Sequence, residues 1–137
     1  MSYAVSRREF LNQLALYLPA VPLAWSVACT RAPPPPEWRP LALRASAWFH
    51  PQDLRAVRLI GAHFLTRVGR DYDGLKIELG PTLELLKEGG GRGTSREIEA
   101  AIAGDFQRLA VRDVEGWTLA ATEAHLAALV ELFGISA

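Results

Sequence analysis

Val111-Arg112-Asp113-Val114-Glu115-Gly116-Trp117-Thr118-Leu119-Ala120-Ala121-Thr122-Glu123-Ala124-His125-Leu126 decides how this chain folds. Two short apolar segments flank Glu115-Gly116, and helical period is lost from Leu109 to Leu119. This predicts a short hairpin or paired extended segments, with Gly116 taking a turn conformation that side chains resist. Past Leu119 the period changes. Leu126, Leu129, Val130 and Phe133 fall on the inner face of a helix running from about Ala121 to Phe133, and Gly134 is its stop.

Toward the N-terminus, Thr94-Ser95-Arg96-Glu97 fits a capping box. It opens a helix whose apolar stripe is Ile98, Ala101, Ile102, Phe106 and Leu109. Asp105 interrupts that stripe, so it either sits at the edge or pairs with a cation. Glu88-Gly89-Gly90-Gly91-Arg92-Gly93 reads as a solvated connector, since no Gly-Lys-Ser/Thr follows to make a phosphate cradle. Leu75, Ile77 and Leu79 alternate, which suggests a short strand, and Gly80-Pro81 marks a fresh start for one short helix from Pro81 to Lys87. His50-Pro51-Gln52-Asp53 looks like a helix start, with Pro51 at the first helical position. Leu54, Val57, Ile60, Gly61, Phe64 and Val68 then share one face, Arg55, Arg58 and Arg70 lie mostly elsewhere, and Gly69 ends the helix. Residues 41–49 form either a short helix or an extended docking segment. The fold class is therefore mainly α: a small bundle of three to four helices with one short β-hairpin near the C-terminus, built from residues 41–137.

The block from Asp105-Phe106 through Val111–Leu126 resembles the C-terminal end of short bacterial exported proteins with a D-F…V-x-V-D-G-W-x-L-S-x-T-E-A-R-L pattern. The resemblance spans residues 105–129 plus the leader described next. Glu115 stands where the pattern has Asp, Ala120 where it has a helix-capping Ser, and His125 where it has Arg. The Ala120 change removes a side-chain cap worth ~1 kcal/mol. The pattern reads as structural, a turn glycine, a packed tryptophan and a helix start, so it implies no functional residue.

Ser6-Arg7-Arg8-Glu9-Phe10-Leu11 is an address rather than a fold. It resembles the twin-arginine (Tat) export signal, with Arg7, Arg8, Phe10 and Leu11 at the matching positions and Asn12 in place of the usual lysine. Residues 14–28 are an apolar run too short to span a ~30 Å hydrocarbon core comfortably, and Pro19 and Pro22 disturb it further. Residues 1–28 are thus expected to be a cleavable signal peptide that delivers an already folded protein to the periplasmic side of a bacterial envelope. Two cuts fit. Ser26-Val27-Ala28 suits ordinary signal peptidase, and Ala28-Cys29 resembles the end of a lipobox, which would make Cys29 a lipidated mature N-terminus. Cys29 is the single cysteine, and Thr30-Arg31-Ala32 and four prolines follow it. Residues 29–40 therefore read as a stiff, Pro-rich linker, suited to tethering a domain to a lipid.

Composition narrows the function classes. Setting aside Arg7, Arg8 and Glu9 leaves 13 basic and 14 acidic residues, without the basic excess that nucleic-acid binding demands. His50, His63 and His125 have no metal-helix spacing and read as surface or boundary residues. Asp71, Asp73 and Glu78 are too few and too irregularly spaced for a Ca²⁺ loop and read as solvated. Ser46, Ser95 and Ser136 belong to no nucleophile motif, so neither a catalytic residue nor a cofactor site is expected. Trp38, Trp48 and Phe49 crowd the start of the mature domain. They either close the domain over its own core or, for the adjacent pair Trp48-Phe49, anchor a partner.

A small, disulfide-free domain has little need of a folded-state exporter, whereas a partner that folds around a cofactor in the cytoplasm does. The organisation is similar to that of the small Tat-bearing subunits of flavin-dependent dehydrogenases of the glucose-methanol-choline class. That similarity implies a non-catalytic accessory subunit, recognised by the Tat translocase and bound to a larger redox subunit. The alternative is a stand-alone periplasmic lipoprotein that binds a ligand or an envelope component.

Overall fold

The computed structural model describes residues 32–89 and 93–137. Those residues hold five α-helices and one two-stranded antiparallel sheet. In chain order the elements are α1 (Arg39–Trp48), α2 (Leu54–Val68), α3 (Tyr72–Glu88), α4 (Gly93–Gln107), β1 (Val111–Val114), β2 (Trp117–Ala120) and α5 (Ala121–Leu132). The mainly helical class and the C-terminal hairpin are as the sequence predicts. There are five helices because residues 39–48 and 72–88 both form full helices.

At the centre lies α5, packed chiefly against α2 and α1. Ala124, Leu126, Ala127, Ala128, Leu129 and Val130 are all buried, so the helix is enclosed almost all round rather than on one face. Its alanines let neighbours come close. At Gly61 on α2, an added Cβ would lie 2.2 Å from the Ala127 carbonyl oxygen, so only glycine fits this crossing. Gly134, with φ 57°, closes α5: its amide donates to the Glu131 carbonyl and the Ile135 amide to the Val130 carbonyl, the paired bonds of a Schellman stop.

The hairpin pairs Val111 with Ala120 and Val114 with Trp117. Glu115 and Gly116 both have positive φ, 50° and 80°, which is the turn whose twist suits a two-residue hairpin. Trp117 is half-buried against the core rather than enclosed by it. His63 Nδ1 lies 3.0 Å from Glu115 Oε1, and Arg67 donates to the Asp113 carbonyl, so one stripe of α2 grips the hairpin tip.

Several expectations are corrected. No strand forms at Leu75-Ile77-Leu79, and the chain does not break at Gly80-Pro81. Leu75 and Leu79 sit one helical turn apart on the buried side, while Ile77 is 81% exposed. Over three residues an alternating pattern and an i, i+4 pair look alike. The bond that Pro81 cannot donate would go to the Ile77 carbonyl, and both residues are exposed, so water can serve that acceptor. Asp71 starts α3 by accepting from the Gly74 amide at 3.0 Å. Burial of Leu75, Leu79, Leu83 and Leu86 at about 1.5–3 kcal/mol each outweighs the cost of an internal proline. Phe106, Leu109 and Val68 lie outside the core and are exposed.

Trp38, within the stretch read as linker, is core. Pro36–Trp38 form a 3-10 turn leading into α1, and the Trp38 ring meets Tyr72 edge-on at 6.2 Å. Ala32 is tied to the same place, since the Tyr72 hydroxyl donates to its carbonyl at 2.9 Å. Gly90, Gly91 and Arg92 of the connector and the Thr94 side chain of the expected capping box lie outside the described residues.

The start of α5 shows how the missing serine cap is replaced. Asp105, from α4, accepts from the Thr122 amide through Oδ2 and from Arg108 Nη2 through Oδ1, both at 2.8 Å. Glu123 Oε2 accepts from the Ala120 amide and the Ala110 carbonyl from the Ala121 amide. Asp105 is thus a cap borrowed from a neighbouring helix, and its charge suits the positive end of the α5 dipole. Of the two roles open to it, it takes the cation pair, in a buried position.

Candidate functional site

Two places gather polar chemistry, and they differ in access. The first joins α3, α5 and β1. Glu78 and Thr82, one turn apart on α3, meet His125 of α5. His125 Nδ1 is 2.9 Å from Thr82 Oγ1, and its Nε2 is 3.2 Å from Glu78 Oε1. Arg112 of β1 donates to the same Glu78 oxygen through Nε and Nη2. A carboxylate can only accept, so Nε2 carries the hydrogen and Nδ1 accepts from the threonine hydroxyl. The ring also meets Phe64 of α2 edge-on at 5.6 Å.

Burial pushes the His125 imidazole below its ordinary 6.5, and the Arg112 charge acts the same way, while Glu78 and Asp105 oppose it only in part. Burial would raise Glu78, but hydrogen bonds and charge from Arg112 and His125 outweigh it and hold the carboxyl below its ordinary 4.5. Hydroxyl, imidazole and carboxylate in sequence are the parts of a nucleophilic site. Here Thr82 is 2% exposed and His125 4%, so no substrate carbon reaches the hydroxyl. Among the described residues no buried side-chain nitrogen or oxygen lacks a partner. This junction locks three elements together.

The second place is open. Beside α2, reaching to the end of α5, runs a cleft of about 510 Å³. Pro51, Leu54, Leu59 and Ala62 give it an apolar floor, and Ser136 and Ala137 border it. Arg55, Arg58 and Glu131 supply its charged side chains. Arg58 Nε donates to Glu131 Oε2 at 2.8 Å. Arg55 is exposed and has no hydrogen bond or ion pair among the described residues.

The residues singled out from sequence fall as follows. Trp48 and Phe49 end α1 as an edge-to-face pair with centroids 4.9 Å apart, each half-buried against the domain's own core. His125, expected at the surface or its boundary, is buried instead. The sequence holds a signal for it: an imidazole amid Ala124, Leu126 and Ala127 in an otherwise apolar helix needs buried partners. His63 is half-buried beside Glu115, and His50 is exposed with Nδ1 accepting from the Gln52 amide. Asp71, Asp73 and Glu78 do not converge: Asp71 caps α3, Asp73 is exposed and Glu78 belongs to the junction. Among the described residues no three His, Cys, Asp or Glu side chains are placed to hold a metal ion. No described helix is long and apolar enough to cross a membrane. Arg7, Arg8, Phe10, Leu11, Ala28 and Cys29 lie outside the described residues.

No protein-family model, curated protein or solved structure matches this chain. Any function is therefore argued from its own residues.

Proposed function

We propose that this chain is a non-catalytic accessory subunit, exported by the Tat translocase together with a larger periplasmic or membrane-associated redox enzyme. The observation that carries this reading is the run Ser6-Arg7-Arg8-Glu9-Phe10-Leu11 ahead of an apolar stretch, on a domain whose Thr82 hydroxyl and His125 imidazole are buried. A folded-state export address on such a small domain makes sense when the cargo that needs it is the partner. The partner contact combines Trp48-Phe49 with the exposed side of α2, because half-buried aromatics held edge-to-face anchor well in a partner's pocket. The domain brings no cofactor of its own.

Deleting this chain tests the reading. A larger redox protein that lacks its own signal should then remain in the cytoplasm. If every periplasmic redox enzyme is delivered as before, and the chain purifies from the envelope only as a monomer, the stand-alone lipoprotein takes its place. That second reading has a definite geometry. Ala32, three residues beyond Cys29, is already bound to Tyr72. A lipid on Cys29 would hold the domain within about 10 Å of the bilayer surface. Fatty-acid labelling and the Cys29→Ala variant decide whether that anchor exists.

A further inference from the structure

We propose that, in the lipidated protein, the exposed stripe Pro36, Pro40, Leu43 and Ala47, along α1 and the turn before it, lies flat on a zwitterionic phospholipid bilayer. This rests on the lipid anchor at Cys29 and not on the redox partner. The stripe stops short of Trp48-Phe49 and shares no residue with the partner contact.

Geometry is the first argument. At about 100° per residue, Leu43, Ala47 and Pro40 fall within an arc of about 60° on α1. All three are exposed, Leu43 to 50%. Pro36, exposed in the 3-10 turn that leads into α1, extends the stripe toward the N-terminus. Leu41, Ala42 and Ala45 form the opposite, buried side. Arg39 and Arg44 stand at the two edges, each about 40° outside the arc. A helix with one side in the core and an uncharged apolar strip facing out suits the boundary between water and lipid.

The second argument is where the described chain begins. The Tyr72 hydroxyl holds the Ala32 carbonyl, and the Tyr72 ring meets Trp38, the residue just before α1. Three residues of chain put Cys29 at most about 10 Å from Ala32. A lipid there brings the bilayer to the N-terminal end of the stripe. So short a tether makes the second contact intramolecular, and a weak apolar face then engages. A stable protein interface takes about 20–30 residues a side. The stripe has four, too few to hold a second copy or a partner unaided.

Charge sets the lipid. Arg44 donates to the Leu86 and Gly89 carbonyls, which brings the end of α3 to one edge of the stripe. Around the rim Arg39, Arg44 and Lys87 are matched by Glu37, Glu84 and Glu88. Arg70, Asp71 and Asp73, next to Tyr72, add no basic surplus. A basic surplus is what draws a protein to anionic lipid. Without one, contact with headgroups of no net charge is apolar.

The lipidated full chain, purified from the envelope and placed in phosphatidylcholine vesicles, tests this. Cys29 is the single cysteine, so once it carries lipid an introduced cysteine alone takes a bimane label. Nitroxide-bearing lipid should quench a label on Leu43→Cys at least about twofold more than one on Thr118→Cys, exposed on β2. Adding anionic lipid should change this little. Leu43→Glu should cut quenching of a label on Ala47→Cys about twofold or more, with an unaltered thermal melt because Leu43 is exposed. Fatty-acid labelling separates the two claims. Cys29 without lipid overturns the anchor and the proposal with it. With lipid on Cys29, the proposal alone is overturned if positions 43 and 118 are quenched equally, if Leu43→Glu changes nothing, or if quenching requires anionic lipid. A label at position 43 that neither nitroxide lipid nor aqueous iodide reaches would overturn it too, and would assign the stripe to a protein contact.

Discussion

The two sides of α2 are built to opposite specifications. The inner side, with Val57, Ile60, Gly61 and Phe64, is closed against α5 and leaves no room for one extra carbon at Gly61. The outer side, one residue along at Arg55 and Ala62, borders an open cleft and carries in Arg55 a cation with no bond among the described residues. The same contrast separates two arginines: Arg112 is bound to Glu78 beside His125, while Arg55 has no bond among the described residues. A polar group whose partners are all internal contributes to the fold. One that is exposed and unmatched contributes little to it. Substitutions on the inner side should therefore change stability, and substitutions on the outer side should leave it nearly unchanged.

Gly61→Ala should give the largest effect. The new Cβ meets a backbone oxygen at 2.2 Å, so α2 and α5 must separate, and the loss should reach about 3 kcal/mol or more despite alanine's better helix propensity. Urea denaturation reads it directly, and an unchanged midpoint would mean that the two helices are not in close contact.

His125→Ala comes next, at about 2–3 kcal/mol, because it opens a space beside Phe64 and strands the Thr82 hydroxyl. It also carries a pH signature. The folded imidazole lies below its ordinary 6.5, so the unfolded chain takes up a proton first as pH falls. Stability from this group is whole above about pH 6.5 and declines below it. Glu78, held under 4.5, adds a second loss that starts lower and is complete only once its folded value is passed. Thermal melts between pH 7 and 5 should fall in the parent and be flatter in His125→Ala. Equal slopes would remove His125 from the account.

Asp105→Ala should cost about 1–2 kcal/mol, since it uncaps α5 and unpairs Arg108. Restoring serine at position 120 should recover part of that loss, and no recovery would mean that the borrowed cap and a local cap are not interchangeable. Arg55→Gln should be smallest for stability, within about 0.5 kcal/mol, because Arg55 is exposed and holds no bond among the described residues. A large destabilisation there would place Arg55 on the structural side of the comparison.

Much of the fold is legible in the sequence because turn chemistry and period agree there. Glu115-Gly116 marks the hairpin, His50-Pro51 and Gly69 bracket α2, and Gly134 ends α5. The failures have specific causes. Leu75 and Leu79 present an alternating pattern that is also one helical turn, and an exposed proline does not break a helix whose buried side is continuous. Trp38 hides next to prolines that look like linker. The alanines of α5 mark no face, so its complete enclosure is invisible until the neighbours are placed. The sites were less legible still. Glu78, Thr82, Arg112 and His125 are spread over three elements with no motif between them, and the cleft joins α2 to residues after α5. Sequence placed Arg55 and Arg58 off the apolar face but said nothing of what stands opposite.

The central claim, that export of this chain carries a partner with it, is tested most directly by replacing Arg7 and Arg8 with lysine and fractionating the cells. Lysine keeps the charge and loses the guanidinium pair. Both this chain and a larger signal-less protein that co-purifies with it should then remain in the cytoplasm. Delivery of either one to the periplasm at the parental level would contradict the account.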